Sequence, residues 1–247
     1  MIYSSKDPEQ LQSVINEELG KVLKFCAANM LSINFKKTNY MIITSPKKKT
    51  NTRITACNIE QKSQIKCLGV FFNEHLKWDA QLQHINNKIT KNIGILFKLR
   101  HYVPISSLKQ LYYTLIYPYL TYGLMSWGTT YQNKLNKIKV SQNNCIHCIF
   151  FANKRESPTP YFTLLEILKL ENIFKLKIGA LVHKIQYQKK DTPPALYDLV
   201  QPASAVHKYN TRFATNQNLC RSFSRTNYGL ARFSVVETDL GSNTYEN

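Results

Sequence analysis

Basic side chains recur at helical spacing in the middle of this sequence. Lys88, Lys91 and Lys98 fall together on one side of an amphipathic helical pattern, and Arg100 follows it. Cationic groups along a helix can bind the phosphates of a nucleic acid, with an affinity that comes from counterion release and falls with salt. These four residues are therefore the foremost candidates for a binding surface. The alternative is an ordinary solvated helix face.

A Cys-x-x-Cys pair is the second pattern with chemical potential. Cys145 and Cys148, with His147 between them, could supply thiolate ligands to zinc. Structural zinc needs four ligands, and no second pair follows at the spacing of a zinc finger, since the nearest later thiol is Cys220. The pair also lies within a helical pattern, so buried cysteines are the favoured interpretation and zinc is the alternative.

Histidines and aromatic residues offer two further kinds of chemistry. No acidic or serine residue accompanies the histidines at a spacing typical of a catalytic triad, so we interpret them as surface or core residues: His75, His84, His101 and His183. Clustered aromatic residues could stack on bases, but their helical spacing favours a place in the core. They are Tyr112, Tyr113, Tyr117, Tyr119, Tyr122 and Trp127.

The charge balance of the chain is strongly basic. Among 247 residues, 33 are Lys or Arg and 15 are Asp or Glu, which gives a formal net charge of +18. This imbalance repels itself unless a polyanion or an anionic membrane neutralises it, and it favours a nucleic-acid partner. The alternative is a lysine-rich bias in the composition of a structural protein.

Cysteine usage and hydropathy bear on where the protein resides. Six cysteines are scattered through apolar stretches, as in reduced intracellular proteins. The first residues contain no apolar core of signal-peptide length, and no stretch approaches the roughly 18 apolar residues of a membrane span. We expect an intracellular protein, nuclear or cytoplasmic, that is not secreted and has no membrane partner.

The residues that open the chain predict a helix. Asp7, Pro8 and Glu9 combine a side-chain cap, a proline at the first helical position and an acid near the positive end of the helix dipole. Apolar residues then recur at helical spacing. They predict a helix over about residues 8–28 with one buried face: Leu11, Val14, Ile15, Leu19, Val22, Leu23 and Cys26.

A change of period follows this helix. Residues 40–44, 53–57 and 65–72 are short β-rich runs, and the basic turn at residues 46–49 separates the first two. This pattern predicts a small three-stranded sheet beside the helix.

The chain after Trp78 is predicted to be helical. The first apolar seam is narrow and consists of Trp78, Leu82, Ile85, Ile89, Ile93 and Leu96. A second helix follows Pro104, with Ser106 as its candidate cap, and Pro118 should kink or break it. A third helix carries Leu135 to Ile149, and further helical segments are expected at about 161–170 and 172–189.

Several short motifs occur in a fixed order along the chain. They are Asn34-x-x-Lys37-Thr38, Lys66-Cys67-Leu68-Gly69-Val70, Leu76-Lys77-Trp78, Tyr122-Gly123, Trp127-Gly128, Gln142-Asn143 and His207-Lys208-Tyr209-Asn210-Thr211-Arg212. Their types and order resemble the end of the palm and the thumb of reverse transcriptases from jockey-type non-long-terminal-repeat retrotransposons. The resemblance extends over about residues 5–230.

This resemblance implies RNA-directed DNA polymerisation by the intact parent enzyme. It implies that Lys37 lies near the incoming nucleotide, that Gly69 lies in a hairpin gripping the primer end, and that the basic helix follows the template–primer backbone. Lys36 is at most a generic phosphate contact. The implied partner is the backbone of RNA or of an RNA–DNA hybrid. The alternatives are a solvated lysine at position 37 and a buried edge strand with a glycine bulge at Gly69.

The resemblance implies that the carboxylates for this reaction are missing from the chain, because in the family they lie in a Tyr-x-Asp-Asp strand and an earlier palm strand. Polymerisation needs two divalent ions, which aspartates hold about 3.5–4 Å apart. No two of the five aspartates are adjacent, at positions 7, 79, 191, 198 and 239. We therefore predict no catalytic, cofactor-binding or metal-binding residue and no activity for this chain alone. Mg²⁺ and the missing palm and fingers are expected in the parent polymerase.

The predicted fold is mainly α with a small α+β N-terminal part. It comprises a palm remnant over residues 1–77, in which a helix packs on a three-stranded sheet, a thumb-like helical bundle over 78–200, and an irregular tail over 201–247. The predicted function is a fragment of a reverse transcriptase that keeps at most template–primer binding. The alternative is a stand-alone basic helical domain that binds nucleic acid or protein without catalysis.

Overall fold

A computed structural model of the chain describes residues 2–5, 7–45, 59–188, 192–193 and 196–197. The protein is mainly α-helical, and its strands in this part form small sheets. It divides into two compact units, Met1–Ala80 and Gln81–Asn247. The tail predicted at residues 201–247 lies outside the described residues.

Helix α1 spans Pro8–Ala28, as the sequence predicted. The Asp7 carboxylate caps it by accepting a hydrogen bond from the Glu9 backbone N–H at 3.1 Å. The predicted burial of its apolar face is wrong, because every α1 residue with described burial is half-buried or exposed. Helical periodicity identifies an apolar face, but burial also needs a partner element that covers this face.

The strands of the N-terminal unit form two separate two-stranded sheets. β1 (Asn39–Tyr40) pairs in parallel with β2 (Glu60–Gln61), and β3 (Gln64–Cys67) pairs antiparallel with β4 (Val70–Asn73). The predicted single three-stranded sheet is therefore wrong among the described residues. The predicted strand at residues 53–57 lies outside them.

A two-residue turn explains why the run at residues 65–72 is a hairpin and not one strand. Leu68 and Gly69 both have positive φ, 47° and 84°. This conformation at both central residues is typical of the tight turns that match the twist of a hairpin. Gly69 adopts it without steric cost, whereas Leu68 is strained there. The reversal depends on these two φ angles, which a hydropathy pattern does not encode.

The second unit consists of helices joined by short connections. They are α2 (Asp79–Leu99), α3 (Ile105–Leu115), α4 (Tyr117–Thr121), α5 (Leu124–Trp127), α6 (Gln132–Phe150), α7 (Thr159–Leu164) and α8 (Leu170–Tyr187). α6 runs in the same direction as α2. Ser141 meets Asn86 in the first half of α2, and Phe151 meets Arg100 just beyond its last residue.

The second predicted helix breaks near Pro118, as expected from its missing N–H. α3 ends at Leu115, whose backbone carbonyl accepts a hydrogen bond from the Asn92 side-chain amide of α2. The cap predicted at Ser106 is wrong, because α3 begins at Ile105 and has no side-chain cap. Pro104 precedes this start and has the extended backbone of a capping residue.

Gln142 is the polar centre of the helical core. Its Nε2 donates to the Tyr112 hydroxyl and to the Leu168 carbonyl, both at 2.9 Å. Its Oε1 accepts from the Leu170 N–H at 2.9 Å, which supplies a partner at the start of α8. One buried amide therefore links α3, α6 and the start of α8 with all three hydrogen bonds made to protein.

The Trp127-Gly128 pair has an architectural role. Trp127 is fully buried and its indole N–H donates to the Tyr122 carbonyl at 2.9 Å. A Cβ at Gly128 would lie 2.5 Å from the Leu124 carbonyl and 2.7 Å from the Phe174 ring of α8. Any side chain at position 128 would therefore force the Leu124 backbone and the Phe174 ring to shift.

Candidate nucleic-acid interface

The three lysines of α2 lie together on the outward side of the helix. At 100° per residue they fall within an arc of about 80°, and all three side chains are exposed. We call Lys88, Lys91 and Lys98 the lysine face. Lys88 and Lys98 are ten residues apart, which corresponds to about 15 Å along the helix axis.

Packing on the opposite side of α2 fixes the direction of the lysine face. The predicted seam is largely confirmed, since Leu82, Ile85, Ile89 and Leu96 are buried. On a rigid helix this burial holds the lysines toward solvent. Two asparagines of α2 strengthen the attachment: Asn86 pairs with Ser141 of α6 at 2.7 Å, and Asn92 bonds to Leu115 of α3.

Arg100 does not belong to the lysine face. It continues the helical path, with its N–H bonded to the Leu96 carbonyl, and lies at least about 120° around the axis from the nearest lysine of that face. Its guanidinium stacks between two rings, 4.1 Å from the centroid of Phe97 and 4.4 Å from that of Phe151. Arg100 therefore joins the end of α2 to the end of α6 through cation–π contacts.

The charge in the stretch of sequence that contains the lysine face is of one sign. Between residues 80 and 155 the sequence has ten Lys and Arg and no Asp or Glu. Elsewhere in this unit Lys109 pairs with Glu166, and Lys139 with Glu171. Within the described ranges none of Lys88, Lys91 and Lys98 forms an ion pair.

The other predicted contacts lie in the N-terminal unit. Lys36 and Lys37 are exposed. Asn34 builds the turn that carries them: its carbonyl accepts from the Lys37 N–H at 3.0 Å and from the Thr38 hydroxyl at 2.9 Å. The Asn-x-x-Lys-Thr motif is therefore a self-bonded turn with its lysine side chain directed outward.

Gly69 lies at the tip of the β3–β4 hairpin. The two residues before it, Cys67 and Leu68, are both exposed, and Lys66 lies over the ring of Phe71. The structure therefore brings Lys36, Lys37 and Gly69 into one unit and the lysine face into the other. The basic turn Lys47–Lys49 and the motif at residues 207–212 fall outside the described residues.

The Cys-x-x-Cys pair is buried inside α6. Cys145 is fully buried, and burial raises the pKa of its thiol, which opposes the thiolate form that binds metal. Burial also raises the pKa of Cys148, while the charge and hydrogen bond of Arg100 oppose that rise. Across the part of the chain that the structure covers, no three His, Cys, Asp or Glu residues gather as a metal site would require.

His147 is also buried, and neither of its ring nitrogens has a hydrogen-bond partner among the described residues. Its ring meets that of Tyr161 edge-on, with centroids 6.3 Å apart. The ring therefore packs as an aromatic core residue.

The clustered aromatic residues divide between core and surface. Tyr112 and Trp127 are fully buried, as predicted, and burial raises the pKa of the Tyr112 hydroxyl. Tyr113 and Tyr122 are exposed and could reach a ligand. Tyr113 and Tyr122 could therefore stack on bases, whereas the buried rings of Tyr112 and Trp127 could not.

Sequence reasoning missed the polar residues that hold the helices together. Asn86, Asn92 and Ser141 make side-chain bonds between helices. A signal was present, because a polar residue on the apolar side of a helix usually has a buried partner. Gln142 likewise falls at an apolar-spaced position of the third predicted helix, although its three partners were not predicted.

No helix within the described ranges has the length and apolar character needed to cross a membrane. Comparisons of the chain with protein-family models, with curated proteins and with solved structures find no match. The motif resemblance to reverse transcriptases thus stays a prediction.

Proposed function

We propose that the helical unit binds the phosphate backbone of RNA or of an RNA–DNA hybrid through the lysine face of α2. The observation that carries the proposal is three exposed lysines on one side of a rigid helix, within a stretch of chain that contains no carboxylate side chain. A polyanion is the ligand that relieves this concentration of charge.

The expected mode of binding is electrostatic and indifferent to sequence. Lysine is a point charge without the planar fork that reads base edges. Arg100 has that fork, but its guanidinium is held between Phe97 and Phe151. Backbone contacts position a protein on nucleic acid without specifying sequence.

We further propose that this chain is part of a reverse transcriptase of the jockey type. The support is the order of its motifs, together with a turn at Asn34 and a hairpin at Gly69 whose local geometry suits the proposed roles. The chain has no adjacent aspartates like those of the Tyr-x-Asp-Asp strand in that family, so two-metal chemistry of that kind would require carboxylates from another polypeptide segment. Binding without polymerisation is the activity proposed for this chain alone.

Exposed apolar side chains on α8 favour a second candidate function, which is protein binding. Leu176 and Tyr187 are 56% and 71% exposed and lie on one side of α8 with His183. A surface of this kind suits an apolar partner better than a phosphate backbone. The two functions can be separated because they use different helices.

Fluorescence-anisotropy titration of a labelled RNA–DNA hybrid across a salt series tests the proposal. The variant replaces Lys88, Lys91 and Lys98 with Glu, and the matched control replaces Lys175, Lys177 and Lys184 of α8, which changes the net charge equally. We expect the lysine-face variant to lose affinity by at least about tenfold and its log–log salt slope to flatten by about three. The α8 control should keep most of the affinity and most of the salt slope of the wild type.

Equal losses in the two variants would contradict the proposal, because they would show that total charge alone governs binding. Affinity that is unchanged in the lysine-face variant would also contradict it. A loss confined to the α8 control would move the interface to that helix.

A further inference from the structure

Four residues of α1 form a line along its outer side. Val14, Glu18, Lys21 and Phe25 are spaced by four, three and four residues, which keeps them within an arc of about 60°. Val14 is 39% exposed and Phe25 is 65% exposed. We call these four residues the outer stripe.

We propose that the outer stripe is a two-fold contact between two copies of this chain. Its order is apolar, acidic, basic, apolar. Read from the other end, the apolar and charged positions coincide and the two charges exchange sign, so each charge of one copy meets the opposite charge of the other. In an antiparallel pair with the axis between Glu18 and Lys21, each Glu18 faces Lys21 of the second copy. Each Val14 then faces Phe25 of the second copy. A two-fold contact must be self-complementary in this way.

The existing bonds of the charged pair are compatible with this contact. Lys21 Nζ lies 2.7 Å from Glu18 and 2.9 Å from Glu17, and the Tyr3 hydroxyl is hydrogen bonded to Glu18. An ammonium has three donors and a carboxylate about four acceptor sites. Both groups can therefore add an intermolecular partner, and the four charges would alternate in sign across the axis.

The net charge of the chain favours α1 as the meeting point. Two copies of a +18 protein repel each other over most of their surface. Residues 7–28 carry four acidic and two basic side chains, so they form an acidic segment in a basic chain. Contact through this segment meets less repulsion than contact through the basic helices of the second unit. The inference is independent of the proposed nucleic-acid binding.

Sedimentation velocity of the full chain over about a hundredfold range of concentration tests the contact. Glu18→Lys and Lys21→Glu each place like charges across the axis, so each should weaken self-association by at least about tenfold. The double swap, Glu18→Lys with Lys21→Glu, should restore it. Phe25→Ala should weaken it without a change of charge. Lys62→Glu, which removes a lysine of the same unit, is the control and should leave it unchanged.

Mixing the two single variants gives the sharpest version of the test. Glu18→Lys presents two lysines and Lys21→Glu presents two glutamates, so an equimolar mixture regenerates both opposite-charge pairs. We expect the mixture to associate when neither variant does so alone. Circular dichroism of each variant verifies that α1 keeps its helix.

Three outcomes would overturn the proposal. A wild-type chain that sediments as a monomer throughout would do so. Single variants that associate like the wild type would place the contact elsewhere. A mixture that associates no better than its components would mean that Glu18 and Lys21 do not face each other across copies.

Discussion

Helices α1 and α2 are the same length, 21 residues each, and both show an apolar stripe at helical spacing. Five residues of α2 are buried, whereas no α1 residue with described burial is. The pattern in the sequence is alike, but the surroundings differ. α2 is joined to α3 and α6 by Asn92 and Asn86, and its seam lies in the core of the helical unit.

The difference shows that an apolar stripe identifies a surface able to be buried, without identifying its partner. In α2 the stripe is used within the fold, which leaves the opposite side free to present charge. In α1 part of the apolar surface stays exposed, and we propose that a second copy of the chain covers it. The two helices therefore lead to different kinds of experiment.

The largest expected contrast comes from the same substitution in each helix. Ile89→Ala in α2 should lower the free energy of unfolding of its unit by about 2–5 kcal/mol, because Ile89 is fully buried. Ile15→Ala in α1 removes a half-buried side chain and should cost about 1 kcal/mol. Hydrogen exchange followed on individual peptides measures the stability of each unit separately. Equal losses of stability in the two variants would contradict the contrast. If Ile89→Ala does not fold, Ile89→Val replaces it, with an expected loss of about 0.5–1.5 kcal/mol.

A second prediction concerns the polar centre of the helical unit. Gln142→Leu removes all three hydrogen bonds. It leaves the Tyr112 hydroxyl, the Leu168 carbonyl and the Leu170 N–H without the partner that Gln142 supplies. The cost should be about 2–4 kcal/mol, measured as a shift in the urea midpoint. The neighbouring Asn143→Leu, at a half-buried position, is the control and should change the midpoint little.

Alkaline pH should weaken the helical unit in a way that depends on two buried groups. Burial raises the pKa of both Cys145 and Tyr112 in the folded protein. In the unfolded chain these groups ionise near pH 8.5 and 10. Above each value the unfolded state has lost its proton while the folded state keeps it, so stability is full at lower pH and falls as pH rises.

Denaturation midpoints measured from pH 7 to about 10.5 detect this loss. The slope should be flatter in a variant with Cys145→Ala and Tyr112→Phe, whatever its absolute stability. A slope identical to that of the wild type would exclude these two groups as its cause.

The smallest predicted effect is a gain in the N-terminal unit. Leu68 has φ 47° at the first position of the hairpin turn, where Asn is tolerated far better. Leu68→Asn should therefore stabilise the hairpin by up to about 1 kcal/mol, measured by hydrogen exchange of residues 64–73. A loss of stability would mean that the Leu68 side chain has a packing role that its exposure does not reveal.

Local signals predicted the parts of the fold that depend on neighbours in the sequence. The bounds of α1, the seam of α2 and the break near Pro118 follow from capping, periodicity and a missing N–H. The run at residues 65–72 is a hairpin and not one strand because the φ angles at Leu68 and Gly69 reverse the chain. Of the predicted interface, the lysine face follows from the 3.6-residue period, whereas the position of Arg100 depends on Phe151, which is 51 residues away in the sequence.

Nucleic-acid binding is proposed for α2 and not for the more acidic helix α1. Lysine acetylation followed by mass spectrometry, with and without an RNA–DNA hybrid, tests it most directly. We expect the hybrid to slow acetylation of Lys88, Lys91 and Lys98 and to leave Lys21 and Lys24 unchanged. Uniform slowing of all five, or protection confined to the two lysines of α1, would contradict the account.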